Sequence, residues 1–174
     1  RAAGAVQPMV NPAVTPRYVI ITTSTIQSTS TKLATFVTQK QLQGFDVTVL
    51  TNAIAPGGFG GGTGNAAAEN IRTWLHNHYV NDNIEYVLLI GDPRPTTGDI
   101  PMKNLYPRSL TYEAVPTDSY YADLTGNWNL DGDAYYGEYS GDMGTGGIDR
   151  FWDVIVGRIP YYGTIADLDY ILQK

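Results

Sequence analysis

No cysteine occurs among the 174 residues. This excludes disulfides, thiolate metal sites and a cysteine nucleophile within them. Positive charge is scarce: 11 Lys and Arg stand against 17 Asp and Glu, for a net charge of −6. The chain therefore lacks the basic footprint that phosphate backbones require, and nucleic acid is not an expected partner. Long apolar runs are missing too. The longest, Tyr86 to Ile90, is far short of the roughly 20 residues of a membrane-spanning helix, so no membrane span is expected. Residues 1 to 16 show no charged start followed by an apolar core, although a mature secreted chain would have lost its signal peptide. The two histidines, His76 and His78, lie two apart on an expected helix, face different sides and cannot share a metal. No G-x-S-x-G elbow is present for a serine triad.

The sequence does contain 19 Gly and 13 Tyr, a composition that points towards an extracellular protein. Its length suits one α/β domain with a sizeable apolar core. Residues 1 to 16, with three Pro, read as an arm or linker ahead of a domain over 17 to 174. Short apolar, β-branched runs predict strands near 18–23, 45–51, 85–91 and 153–159. A Ser/Thr cluster caps an expected helix carrying Leu33, Phe36 and Val37, and Gly44 ends it. Asn65 is expected to cap a second helix, whose apolar stripe runs through Ile71, Trp74, Leu75, His78 and Tyr79. Thr164 and Asp167 form a capping-box pattern ahead of Ile165, Leu168 and Leu172. Together these features predict a doubly wound parallel sheet with right-handed crossovers and strand order 2-1-3-4. Residues 92 to 150, rich in Gly, Pro, Asp and Tyr, interrupt it as an irregular insertion with no expected helix. A sheet that stops on its last helix reads as the leading part of a longer domain.

Within the insertion, Asn127, Asn129, Asp131, Gly132 and Glu138 occupy positions 1, 3, 5, 6 and 12 of the calcium-loop pattern D-x-[DN]-x-[DN]-G-x₅-E. The chemistry explains the spacing. Alternate side-chain oxygens converge on one cation, Gly permits the sharp turn, and the last Glu closes the shell bidentately. Asp133 is expected to add its backbone carbonyl at position 7, and Asp123 is a further candidate ligand. Asn, Asp and Gly also form hairpin tips, but turn chemistry does not call for a glutamate seven residues after the aspartate. Asn at two ligand positions lowers the charge, so affinity should be on the order of 10⁻⁴ M, which suits extracellular calcium. The expected cofactor is Ca²⁺ in a structural role.

Two other features carry less chemistry. Gly62, Gly64 and Ala67 satisfy G-x-G-x-x-A ahead of a helix, but about a dozen residues separate them from the preceding strand, and the run lacks a phosphate-loop Lys. It reads as a flexible surface loop. Asp92 follows a buried strand at its carboxyl end, where open α/β sheets bind ligands, and equally fits the first position of a G-D-P-R turn.

Y-V-L-L-I-G-D (Tyr86 to Asp92), D-I-P (Asp99 to Pro101), P-T-D-S-Y-Y-A-D-L (Pro116 to Leu124), N-W-N-L-D-G-D-A-Y-Y-G-E and D-V-I-V-G-R-I-P (Asp153 to Pro160), in that order, resemble the gingipain-type cysteine peptidases over about residues 17 to 174. The resemblance implies a caspase-like α/β fold of two side-by-side subdomains, of which this chain is the first. It implies proteolysis of protein or peptide substrates by the parent, with the second subdomain as partner and a secreted or cell-surface location. It also places the catalytic His, after an H-G signature, and the catalytic Cys in that second subdomain. No catalytic residue is expected within this chain. A calcium-stabilised surface or adhesion module without enzymatic activity is the alternative from another class.

Overall fold

Tyr18 to Ile21 and Val87 to Ile90 are the most apolar stretches of the sequence, and the structure sets them side by side in the middle of one sheet. The computed structural model describes residues 13–54, 57–107 and 113–174. The central strand β1 (Arg17–Ile21) pairs in parallel with β2 (Asp46–Leu50) on one side and with β3 (Ile84–Gly91) on the other. The last strand in the chain, β6 (Ile155–Pro160), pairs in parallel with β3. The sheet order β2-β1-β3-β6 is the expected 2-1-3-4, with all four strands parallel. Residues 92–154 contain the short antiparallel pair of β4 (Lys103–Leu105) and β5 (Val115–Thr117), and a single helical turn, α4 (Ser119–Ala122), where no helix was expected.

Side chains alternate across a strand, which divides the core in two. Ile20, Leu88 and Ile90 pack on one face under α1 (Ser24–Thr29), α2 (Leu33–Leu42) and α5 (Ile165–Leu172), through Ile26, Leu33, Leu168 and Leu172. Val19, Ile21, Val87 and Leu89 pack on the other face under α3 (Gly64–His78), through Ile71 and Leu75. Tyr120, Tyr121, Leu124, Trp128 and Ile148 of the irregular segment join this second cluster. The insertion is therefore built onto the α3 face of the sheet.

Several local expectations are corrected. The single helix after β1 is two helices, because Thr23 Oγ1 caps α1 at Ile26 N (3.1 Å) and Ser30 Oγ accepts from Leu33 N (3.1 Å) to start α2. Asn65 does not cap α3, which begins one residue earlier with Thr63 at the N-cap. Its side-chain oxygen instead accepts from the buried Lys103 ammonium. The Thr164 side chain makes no cap hydrogen bond, so the capping box does not form. The glycine run is anchored: Phe59 is buried in the core, and its N–H donates to the Thr51 carbonyl (2.9 Å). Of the arm at 1–16, residues 1–12 lie outside the described residues. Val14 and Thr15 present their carbonyls to Asn83 Nδ2 (3.2 and 3.3 Å).

Candidate metal centre

The loop 127–138 enters its turn through the core. Trp128 is buried, and its Nε1–H donates to the Asp123 carbonyl (3.0 Å), which leaves the flanking Asn127 and Asn129 on the outer side. Asn127 Oδ1 accepts from Asn129 N (3.0 Å), a side-chain turn that starts the loop. Gly132 has φ +77, a left-handed conformation that Gly adopts without strain, at the position where the pattern calls for it.

The carboxylates of Asp131, Asp133 and Glu138 converge, one oxygen from each lying within 4.8 Å of the others. Two oxygens on one calcium, each at 2.3–2.6 Å, are at most about 5 Å apart, so one ion can bridge all three. Asp131 and Asp133 are exposed and Glu138 is buried. Burial is the largest cause that pushes the Glu138 carboxyl up, and the charges of Asp133, Asp131 and Asp142 push the same way. Asn129 Oδ1 is buried without a hydrogen-bond partner, while its Nδ2 donates to the Asp133 carbonyl (3.0 Å). An oxygen-only donor set of converging carboxylates and an orphaned carboxamide oxygen fits a hard divalent cation better than it fits any other occupant. Asp133 reaches the cluster with its side chain, whereas its carbonyl, the expected ligand, is occupied by Asn129.

Asp123 sits apart from that group. It is fully buried, and its Oδ1 accepts from Gly126 N (2.8 Å). The turn it begins is clamped twice. Arg72 on α3 donates to the carbonyls of Tyr120 (3.0 Å), Asp123 (3.0 Å), Leu124 (3.2 Å) and Gly126 (2.7 Å). Asp153 Oδ2 accepts from Leu124 N (2.6 Å) and Thr125 N (3.0 Å). Asp142 shapes the loop itself. It is fully buried and accepts from Leu130 N (2.6 Å), Gly137 N (2.7 Å) and Glu138 N (3.1 Å). The sequence reading passed over Arg72, Asp142 and Asp153, because no motif marks a charged side chain that caps distant backbone.

The other candidates find structural roles. His78 stacks on Trp74 with ring centroids 4.2 Å apart, and its Nδ1 meets the Trp74 carbonyl (2.7 Å). His76 Nδ1 meets the Leu124 carbonyl (2.9 Å). Asp92 pairs with the Arg94 guanidinium and accepts from Arg94 N (3.0 Å), which is the turn geometry.

The model of one protein family, described as peptidase family C25, matches residues 11–174. Searches among curated proteins and among solved structures returned no match.

Proposed function

Because the chain belongs to peptidase family C25, the gingipain-type cysteine peptidases, we propose that it is the calcium-binding leading subdomain of a secreted cysteine endopeptidase. Cysteine-dependent proteolysis needs a thiolate within hydrogen-bond reach of an imidazole base. These 174 residues contain no cysteine, and both imidazoles are held against backbone carbonyls of the scaffold. On this reading the Cys and His belong to a second subdomain of the parent chain, and this chain supplies the scaffold against which they are positioned.

The observation that carries the calcium assignment is the convergence of Asp131, Asp133 and Glu138 within 4.8 Å in a loop of the calcium pattern. The ion's contribution is structural. It would neutralise three carboxylates and fix a segment whose regular structure, among the described residues, is confined to three short elements. Weak binding of this kind is saturated by extracellular calcium, which supports secretion or surface display.

The test has two arms. Incubated with a broad set of fluorogenic peptides, calcium and reductant, the 174-residue chain should give only background, while the product of the longer reading frame should hydrolyse some of them. Turnover by the short chain that disappears in His76→Ala or His78→Ala would place a hydrolase site within these residues and overturn the assignment. In the second arm, Asp131→Asn and Glu138→Gln should each abolish the response of the melting temperature to loop calcium. A long product that binds calcium and cleaves nothing would favour the adhesion module.

A further inference from the structure

The chain contains a single Asp–Gly pair, Asp131–Gly132, and it lies within the calcium-pattern loop. Residues 130 to 134 are exposed. Gly132 holds φ +77, and a side chain added there would meet nothing within 4 Å. Its N–H has no acceptor among the described residues. Asp131 Oδ1 accepts from Asp133 N at 3.3 Å, so the Asp131 carboxyl folds back over the peptide that follows it. The carboxyl carbon and the Gly132 nitrogen both lie on the ring which that bond closes. We propose, on the basis of the calcium reading of this loop, that Asp131–Gly132 is a site of isoaspartate formation, open when the loop is empty and closed by the calcium ion.

The step is an internal acyl transfer. The Gly132 nitrogen attacks Asp131 Cγ, and the new C–N bond closes a succinimide ring. One carboxylate oxygen leaves as water, taking the amide proton and a proton from solvent. Water then reopens the ring. Attack at Cγ restores aspartate, whereas attack at the Asp131 main-chain carbonyl breaks the original peptide bond and leaves the chain running through Cβ and Cγ as isoaspartate. One water is released and one is taken up, so the mass is unchanged and no other reactant is needed. Holding the two reacting atoms in one turn supplies the proximity that such a step requires. The missing Cβ at Gly132 lets its nitrogen be reached and leaves its φ free to adjust as the ring closes.

Calcium closes the site through the same atoms. A carboxylate oxygen bound to the ion does not depart as water, and a loop whose carboxylates converge on a cation loses the freedom that ring closure needs. Other carboxylates of the insertion are protected by the fold. Asp123 and Asp142 are fully buried, and the N–H that follows Asp123 is taken by Asp153 (2.6 Å). Asp133 shares the exposure of Asp131, but Ala134 follows it, and the Ala134 Cβ shields the nitrogen. Conversion at Asp131 would add one methylene to the main chain and attach the carboxylate directly to Cα. The ligand spacing of the loop is then lost, and calcium restored later is no longer held.

The experiment incubates the 174-residue chain in warm neutral buffer with calcium or with chelator. Peptide mapping with electron-transfer fragmentation separates isoaspartate from aspartate at equal mass, and calorimetry of fresh protein measures calcium binding. With chelator, isoaspartate should accumulate at 131, and faster than at Asp133. With about 10 mM calcium and an affinity near 10⁻⁴ M only about one loop in a hundred is empty, so conversion should slow about a hundredfold. Glu138→Gln, which weakens the ion without touching the Asp–Gly pair, should convert at the chelator rate even in calcium. Should that variant fail to fold, the wild-type comparison carries the test. No isoaspartate at 131 under chelator overturns the proposal, and a heat of calcium binding in the fresh protein then leaves the loop reading standing. Equal rates in calcium and chelator while calorimetry shows the ion bound overturn the calcium control alone. Equal rates with no calcium bound overturn the loop reading and the calcium control together.

Discussion

The sheet and the insertion are held together by different chemistry. Strands β1 and β3 with helices α1, α2, α3 and α5 bury Ile, Leu and Val on both faces of the sheet. The segment 92–154 lends Ile100, Tyr120, Tyr121, Leu124 and Trp128 to the same apolar core, and adds to it charged side chains that hold backbone groups. Arg158 reaches it from β6, paired with Asp118 (2.8 Å) and donating to the Ile100 carbonyl (2.6 Å). Lys103 is buried, donates to Asn65 and Glu69, and lies 3.7 Å from the Tyr136 ring centre. Burial lowers the Lys103 pKa, and Glu69 opposes the shift. Arg72, Asp142 and Asp153 do the same work on backbone groups. Apolar burial is non-directional and tolerates small shifts. A buried charge must keep each of its partners, so the insertion is the part that an ion can organise and that its loss can release.

One substitution in each region should show the difference most strongly. Leu89→Ala should cost about 2–5 kcal/mol by cavity formation, equally with calcium and with chelator. Asp142→Ala leaves the N–H groups of Leu130 and Glu138 without an acceptor, while Gly137 N keeps the Trp128 carbonyl, so it should cost roughly 2–4 kcal/mol. It should also erase the calcium response, because the loop loses its shape. Denaturant titration with calcium and with chelator separates the two. Equal calcium dependence in both variants would mean that the regions are not distinct.

Removal of calcium comes next in size. With affinity near 10⁻⁴ M and about 10 mM calcium, one ion stabilises the fold by about 2.7 kcal/mol, a rise in Tm of roughly 5–10 °C over the chelated protein. Trp128 fluorescence should report the same change, since its indole is bonded to the turn carrying Asp123. A melting curve indifferent to chelator would remove the ion from the account.

The pH dependence is smaller and has a definite sign. Without calcium, the raised Glu138 pKa means that the folded state keeps this proton to higher pH than the unfolded chain does. That contribution is fully present below the unfolded value and is lost as pH rises through the folded one. Bound calcium reverses the preference by holding the carboxylate ionised. The calcium-induced rise in Tm should therefore be greatest near neutral pH and shrink towards the carboxylate range. A rise that stays constant between pH 7 and 5 would show that Glu138 does not ligate the ion.

How far the sequence could be read follows the same division. The four strands and their order were legible because Tyr18 to Ile21 and Tyr86 to Ile90 are near-continuous apolar runs, as strands covered on both faces must be. Their ends were less so, since Asp153 leaves the strand pattern to cap Leu124 and Thr125. In the candidate metal centre, the convergence of Asp131 with Glu138 and the left-handed turn at Gly132 were legible because spacing along one loop is local. Asp142 was not, although it lies four residues beyond Glu138. Its role depends on where Leu130 and Gly137 bring their N–H groups, and neither a period nor a propensity encodes that.

The smallest effect tests the end of the sheet. Asp92 follows β3 at its carboxyl end, the place where an open α/β sheet receives a ligand. Its carboxylate is instead occupied by Arg94 of the same turn, through the backbone N–H (3.0 Å) and the guanidinium. The Arg94 side-chain bond is the largest cause holding the Asp92 pKa below its ordinary range. The arginine is two-thirds exposed, so solvent screens the pair, and such pairs contribute between about 0 and 1 kcal/mol. The sign is that of a depressed carboxyl: the contribution is present above the unfolded pKa and lost as pH falls through the folded one. Asp92→Asn keeps an acceptor for Arg94 N, so it should cost less than about 1 kcal/mol, fade further in high salt, and leave the calcium response unchanged. Arg158, only 7 % exposed in its pair with Asp118, is largely removed from that screening, and Asp118→Asn should cost more than Asp92→Asn. If the order were reversed, Asp92 would be engaged by more than its own turn, and the carboxyl end of β3 would have to be read as a binding position of the sheet.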